Sequence, residues 1–183
     1  DWHLDAGGAR RDSDGTYLTD LFTDEAVSFI GRHRDEPFFL HVTYNAPHFP
    51  FQAPEEDVAP FAETGRFTQA VSTLYGMIYR MDKGLERIMD ALERHGLADD
   101  TILLFTSDNG PQFGGQGQMC TDRFNCNWHG AKGHVYEGGI RVPMAVRWPN
   151  GLADRRQDDG LVHFVDWFPT LLDAAGVSLP EGV

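Results

Sequence analysis

The sequence predicts an α/β fold, a largely parallel central sheet flanked by helices. Two short apolar runs, Phe38 to Tyr44 and Ile102 to Phe105, have the β-branched and aromatic content of strands, and a long stretch of helical periodicity separates them. Apolar content of this kind suits strands in the interior of a parallel sheet, buried on both faces. Each run gives way to polar, turn-forming residues: Asn45-Ala46-Pro47-His48 after the first, Asp108-Asn109-Gly110 after the second. Ligands of open α/β sheets collect at the carboxyl ends of strands, so chemistry is expected at these two places.

Taken in order, residues 1–18 are polar, rich in glycine, aspartate and arginine, and without periodicity, and they read as a connecting segment. A helix begins at Thr19 or Asp20, with Phe22, Ala26, Phe29 and Ile30 on one face and acidic residues in the first turn, where the dipole favours them. It ends around His33 to Asp35, and Pro37 introduces the first strand. A proline- and acid-containing loop is expected as far as about Arg66. A long helix then runs from about Thr68 to His95, with Leu74, Ile78, Met81, Leu85, Ile88 and Leu92 as its apolar stripe. Gly76 and Gly84 weaken that helix by about 1 kcal/mol each relative to alanine, which points to close packing against a neighbour. Met77, Met81 and Met89 read as adaptable core fillers, and Gly96 as the stop.

After Gly110 the chain has a loop reaching Gly139, far longer than an ordinary connection and so functional or mobile. Ile140 to Trp148 is a third strand, placed at an edge or a bulge by Pro143. A last helix spans Asp166 to Ala175, with Asp166 as N-cap and Gly176 as its close.

With 183 residues and 41% hydrophobic content, the chain supports one sizeable core, as a single domain or a piece of one. A formal net charge of −13 argues against nucleic acid or an anionic membrane surface as the main partner. An anionic substrate would need a local basic pocket. No apolar run approaches the length of a membrane span, and Asp1-Trp2-His3-Leu4-Asp5 does not resemble a signal peptide.

Four residues stand out chemically. Asp108 and Asn109 present hard oxygen, which suits Ca²⁺ or Mg²⁺, although Asp-Asn-Gly is also ordinary turn chemistry. His48 lies between Pro47 and Pro50, an arrangement that presents an imidazole at low entropic cost or simply makes a rigid exposed turn. Lys132, between Ala131 and Gly133, is either a point charge for an oxyanion or a solvated loop lysine. Cys120 and Cys126 form a small disulfide, two free thiols or a structural pair, and are too few for a zinc site even with His129 nearby.

Several stretches together resemble the sulfatases of the alkaline-phosphatase superfamily. They are Pro37-Phe38-Phe39-Leu40 leading to Ala46-Pro47-His48-Phe49-Pro50, then Thr106-Ser107-Asp108-Asn109-Gly110 and Lys132-Gly133. Tyr136-Glu137-Gly138-Gly139-Ile140-Arg141-Val142-Pro143 and Asp166-Trp167-Phe168-Pro169-Thr170-Leu171-Leu172 complete the set. Order and separation match as well, over roughly residues 20–176. The resemblance implies an alkaline-phosphatase/sulfatase-like fold, incomplete here: residues 1–183 as part of the catalytic domain, without its amino-terminal nucleophile region and carboxyl-terminal subdomain.

It also implies a mechanism. Family members attack a sulfate ester with a hydrated formylglycine, made from cysteine or occasionally serine, beside a divalent cation that is usually Ca²⁺ rather than Mg²⁺. Asp108 and Asn109 fall on metal ligands, His48 on the histidine that contacts the sulfate, and Lys132 on the lysine that bonds a sulfate oxygen. The family's Cys-x-Pro-Ser-Arg type motif matches neither Cys120-Thr121-Asp122 nor Cys126-Asn127-Trp128, so the formylglycine is expected upstream. Two more metal-binding aspartates, another lysine and another histidine normally come from that region. Trp2-His3-Leu4 is similar to a Lys-Trp-His-Leu stretch of the family, but Asp1 stands at the lysine position, and His3 is left unassigned.

The resemblance implies a sulfuric ester hydrolase acting on a sulfated carbohydrate or aryl sulfate ester, and export to the periplasm, the lysosome or the outside. This stretch alone should be inactive. The rivals are a phosphodiester or phosphonate monoester hydrolase on the same scaffold and a non-catalytic relative that binds sulfated glycans.

Overall fold

Gly7 and Gly8 both adopt positive φ, 65° and 86°, the backbone that a tight two-residue hairpin turn demands. They join β1 (His3–Ala6) to β2 (Ala9–Asp12) as an antiparallel pair, with Ala6 opposite Ala9. A hairpin thus replaces the connecting segment expected at residues 1–18. The Gly-Gly pair is its one local signature, because strands this polar show no alternation. The computed structural model describes residues 3–113, 124–152 and 156–182.

Helix α1 (Leu18–Arg32) buries Leu21, Ala26 and Ile30, one face of the expected helix. Residues 51–66 are not all loop: they contain α2 (Glu55–Ala62), which begins after Pro54 with Glu55, Glu56 and Asp57 in its first turn. Acids at the positive end of a helix are a sound start signal. Pro60 inside it and its length of 8 residues obscure the pattern. Helix α3 (Gln69–Arg94) has Thr68 as N-cap, whose Oγ1 accepts from Val71 N at 3.3 Å. Gly96, with φ 69°, ends it.

The buried face of α3 differs from the expected stripe. Val71, Leu74, Met77, Ile88, Ala91 and Leu92 are buried, whereas Ile78 is 37% exposed. The reason is that α3 has two partners in succession. A Cβ on Gly76 would press on Val58 and the Asp57 backbone of α2, and one on Gly84 would press on Thr23 of α1 and the Tyr44 hydroxyl. Both glycines therefore permit the close approach that their cost in helix propensity suggests.

Charged groups join the three helices. Arg80 of α3 donates from Nε and Nη2 to the two oxygens of Asp20 in α1, at 2.8 and 2.7 Å, and from Nη1 to Asp57 of α2 at 3.3 Å. Lys83 donates to the other Asp57 oxygen at 2.7 Å. Asp57 is fully buried. Its carboxylate must be satisfied there, because an unpaired buried charge is costly. The Asp57 bond raises the Lys83 pKa, and the Asp20 bond raises that of Arg80.

Phe38 to Tyr44 does not join a strand ladder among the described residues. Phe38, Leu40 and Val42 pack against the cluster of Ala26, Ile30, Ile88, Ala91 and Leu92, while Phe39 is 75% exposed. Within this stretch of the protein, the face carrying Phe38, Leu40 and Val42 is the covered one. Further on, β3 (Leu103–Thr106) pairs with β4 (Met144–Arg147) antiparallel, Leu103 opposite Arg147 and Thr106 opposite Met144. The expected parallel ladders are not among those formed by the described residues. An antiparallel edge strand on an otherwise parallel sheet is common, and Pro143 directly before β4 suits an edge. Between them lies one helical turn, α4 (Glu137–Ile140).

Asp1–Leu152 forms one compact unit and Ala153–Val183 a second, which contains α5 (Phe164–Ala174). The N-cap of α5 is His163 rather than Asp166. Asp166 sits at N3 and accepts from His163 N at 2.7 Å, while His163 Nδ1 accepts from Val165 N at 3.3 Å. A carboxylate three residues into a helix completes a reciprocal capping box, which explains the shift by one turn.

Candidate active site

His48 is placed by the segment before it, which Tyr44 ties to α1. Thr23 donates its hydroxyl proton to Thr19 O at 2.8 Å, so the Tyr44 hydroxyl, 2.8 Å from Thr23 Oγ1, is the donor in that second bond. Burial raises the Tyr44 pKa and keeps the phenol neutral. Asn45 to His48 then form a turn closed by His48 N donating to Asn45 O at 2.8 Å, with cis Ala46–Pro47 inside it. The imidazole is exposed, and its Nδ1 donates to the Phe49 carbonyl at 2.6 Å. That bond assigns the proton of the neutral ring to Nδ1 and leaves Nε2 available to a ligand.

The second place is the end of β3. Ser107 Oγ donates to Asn109 O at 3.1 Å, and Asn109 Nδ2 donates to Gly110 O at 2.9 Å. With its amide nitrogen so occupied, Asn109 leaves Oδ1 free, and the exposed Asp108 carboxylate has no partner among the described residues. These hard oxygens fit part of a Ca²⁺ shell, which takes roughly six to eight oxygen ligands. They do not make a whole site: among the described residues no group of three or more His, Cys, Asp or Glu could hold a metal ion.

Lys132 lies at the tip of a turn. His134 N donates to Ala131 O at 2.9 Å, and Gly133 has φ 86°, the conformation that a type II turn requires at its third residue. Lys132 is therefore the second residue of that turn, half-buried and without an ion-pair partner among the described residues. Its backbone N donates to Pro111 O at 2.9 Å, and Gly110 N donates to Gly139 O at 2.9 Å. These two bonds lace the Lys132 loop to the residues directly after Asp108 and Asn109.

Glycines make that lacing possible. A Cβ on Gly110 would strike the Gly138 carbonyl, one on Gly138 the Gly130 carbonyl, and one on Gly139 the carbonyls of His134 and Ala131. Gly138 N donates to His129 O at 2.8 Å across the same contact. Arg141 braces the outside, its guanidinium 4.6 Å from the Trp128 ring and 3.1 Å from Glu137. Sequence reasoning singled out Lys132 and the oxygen pair but not this glycine packing. Gly138-Gly139 gives a cue, yet its partner Gly110 is remote in the chain.

The structure thus joins Asp108, Asn109 and Lys132 through adjoining backbone, while His48 sits on a separate segment with no hydrogen bond to the other three. Cys126 is exposed, with φ 60°, and Cys120 and hence the pairing of the two lie outside the described residues.

The sulfatase family model matches residues 3–177, which takes in the β1–β2 hairpin as well as every element after it. The chain belongs to the sulfatase family. It is 37% identical over 169 residues to the uncharacterized sulfatase YdeN of Escherichia coli (strain K12), covering 90% of this chain and 29% of that protein. Similarity to the steryl-sulfatase of Mus musculus is 35% over 180 residues, covering 96% and 27%. A crystal structure of Ps i-CgsB in complex with k-i-k-neocarrahexaose superposes with a TM-score of 0.83 at 34% identity, over 93% of this chain and 37% of that one. The chain therefore spans about a third of the length of these relatives. The alkaline-phosphatase/sulfatase-like α/β fold expected from the motifs is borne out.

Proposed function

We propose that the full-length protein is a sulfuric ester hydrolase acting on a sulfated carbohydrate or an aryl sulfate. The observation that supports this reading most is the lacing of the Lys132 turn to the Asp108-Asn109 strand end, inside a chain of the sulfatase family. Two kinds of positive charge would then flank one oxyanion in a protein that is otherwise strongly acidic.

In this reading the free oxygens of Asp108 and Asn109 hold a divalent cation, Ca²⁺ in preference to Mg²⁺, together with ligands from elsewhere in the full-length protein. When bound, such a cation supplies a fixed charge that polarises a sulfate oxygen. Lys132 takes another sulfate oxygen with its ammonium and stabilises charge as the ester bond breaks. His48 Nε2, left open by the Nδ1 bond to Phe49, holds or transfers a proton at the ester oxygen. No residue of this sequence is assigned as the nucleophile. Formylglycine, made from a Cys or Ser in the family's motif, belongs to the proposal for the full-length protein, as does export from the cytoplasm. Among the described residues no helix is long and apolar enough to cross a membrane.

The test is release of inorganic sulfate by the full-length protein and by its Lys132→Ala variant. Loss of a positioned oxyanion donor lowers turnover by roughly 10²–10³-fold. Equal turnover in the two proteins would overturn the assignment of Lys132. Faster cleavage of a matched phosphonate ester would favour the phosphonate hydrolase, and tight binding of a sulfated glycan without sulfate release the non-catalytic relative.

A further inference from the structure

Three rings gather around the turn that carries Lys132. His129 and Tyr136 are in contact with centroids 4.4 Å apart, edge to face, and His134 meets Tyr136 at 6.5 Å, also edge to face. Tyr136 thus touches both imidazoles and makes the three one cluster. His129 and His134 are exposed, and Tyr136 is 55% exposed. Their positions follow from the backbone: His134 closes the Ala131–His134 turn, and His129 O accepts from Gly138 N two residues beyond Tyr136. The glycine packing at 130, 138 and 139 leaves this loop little freedom, so the rings are presented rather than merely exposed.

Their polar atoms are unspent. Neither imidazole nor the Tyr136 hydroxyl makes a hydrogen bond among the described residues. Solvent can meet these atoms in the free protein and a ligand can take its place, the apolar-body, polar-tip character that makes Tyr common at interfaces. A metal role has no support, since these histidines belong to no metal-capable group of three or more His, Cys, Asp or Glu among the described residues. What the cluster offers is apolar ring surface with donors and acceptors at its edges, on the loop whose Ala131–His134 turn carries Lys132. A sugar ring matches that surface, with an apolar C–H face and hydroxyls around its rim. A small aryl group would use the ring surface and leave the polar edges idle.

We propose that His129, His134 and Tyr136 form a saccharide subsite that receives the sugar adjoining the sulfated one, so that the substrate is a sulfated oligosaccharide rather than an aryl sulfate. This deepens the sulfatase reading and rests on it for the position of the sulfate at Lys132. His134 is the residue to test, because its side chain has one ring contact and no hydrogen bond to lose.

The experiment compares kcat and KM of the full-length protein and its His134→Ala variant on a sulfated oligosaccharide and on the matching sulfated monosaccharide. A ring contact of this kind is worth roughly three- to tenfold. The expected result is a loss of that size in kcat/KM on the oligosaccharide, carried by KM, with the monosaccharide and the thermal midpoint unchanged. An equal loss on both substrates, or none on either, overturns the subsite. If the unmodified protein releases sulfate from neither substrate, the sulfatase reading fails separately. Calorimetric binding of the oligosaccharide then decides the subsite: weaker binding by the variant supports it, and equal affinity overturns it.

Discussion

The helical half and the site loop solve opposite packing problems. In α1, α2 and α3 the approach that Gly76 and Gly84 permit is held by side chains: Arg80 spans Asp20 and Asp57, Lys83 completes Asp57, and Ile30, Leu74 and Met77 fill the gaps. In the loop around Lys132 side chains are excluded, and backbone carbonyls of Gly130, Gly138 and His134 occupy the places where Cβ atoms would stand. The first arrangement resists unfolding by burial. The second uses backbone packing to set the position of a single ammonium. Stability and chemistry are therefore expected to respond to different substitutions.

The largest effect expected is on turnover. Lys132→Ala should lower sulfate release by roughly 10²–10³-fold while leaving the thermal midpoint unchanged, measured on the full-length protein. A fall in both would merge the two regions and break the comparison. On the helical side, Asp57→Ala takes the carboxylate from Lys83 while Arg80 keeps its pairing to Asp20. Both partners left behind are partly exposed, so no unpaired buried charge remains and the expected cost is about 1–3 kcal/mol, read from urea unfolding.

Gly138→Ala tests the loop itself. The new methyl meets backbone on the Gly130 side, which cannot give way as a flexible side chain would. A cost of about 1–3 kcal/mol is expected, together with loss of turnover because the Lys132 turn is displaced. Unchanged turnover would mean that the glycines matter to folding alone. Thr68→Ala removes the cap of α3 and should cost about 1 kcal/mol with no effect on catalysis.

The smallest effect is in the alkaline limb. Lys83 is raised above its ordinary value of 10.5 by the Asp57 bond, and burial raises Tyr17 and Tyr44 above 10.0. For all three the folded pKa exceeds the unfolded one, so their contribution is complete below the unfolded value and is lost as pH rises through the folded value. The thermal midpoint should therefore decline from about pH 10 upward, and Lys83→Met should flatten part of that decline. A slope that is identical in Lys83→Met would remove the Asp57 bond from the account.

The two regions were also unequally legible in the sequence. Helical periodicity located α1 and α3 to within a residue or two, because their buried faces repeat locally. It misassigned Ile78, since the face of α3 depends on α2 and α1, which no local pattern reports. Helix α2 is too short, and too interrupted by Pro60, to show a period, and β1 and β2 are too polar to alternate. At the site, residue types alone marked Asp108, Asn109, His48 and Lys132 as candidates. The contact of Gly110 with Gly138 and Gly139 was invisible, because a glycine that makes room for remote backbone looks like any turn glycine.

Whether Asp108 holds a cation needed for turnover is read from sulfate release by the full-length protein with chelator and then with added Ca²⁺, alongside Asp108→Ala. Turnover of the unmodified protein is expected to be abolished by the chelator and restored by Ca²⁺, while Asp108→Ala stays inactive at the same Ca²⁺ concentration. Turnover that persists in the chelator, or an Asp108→Ala variant as active as the unmodified protein, would contradict it.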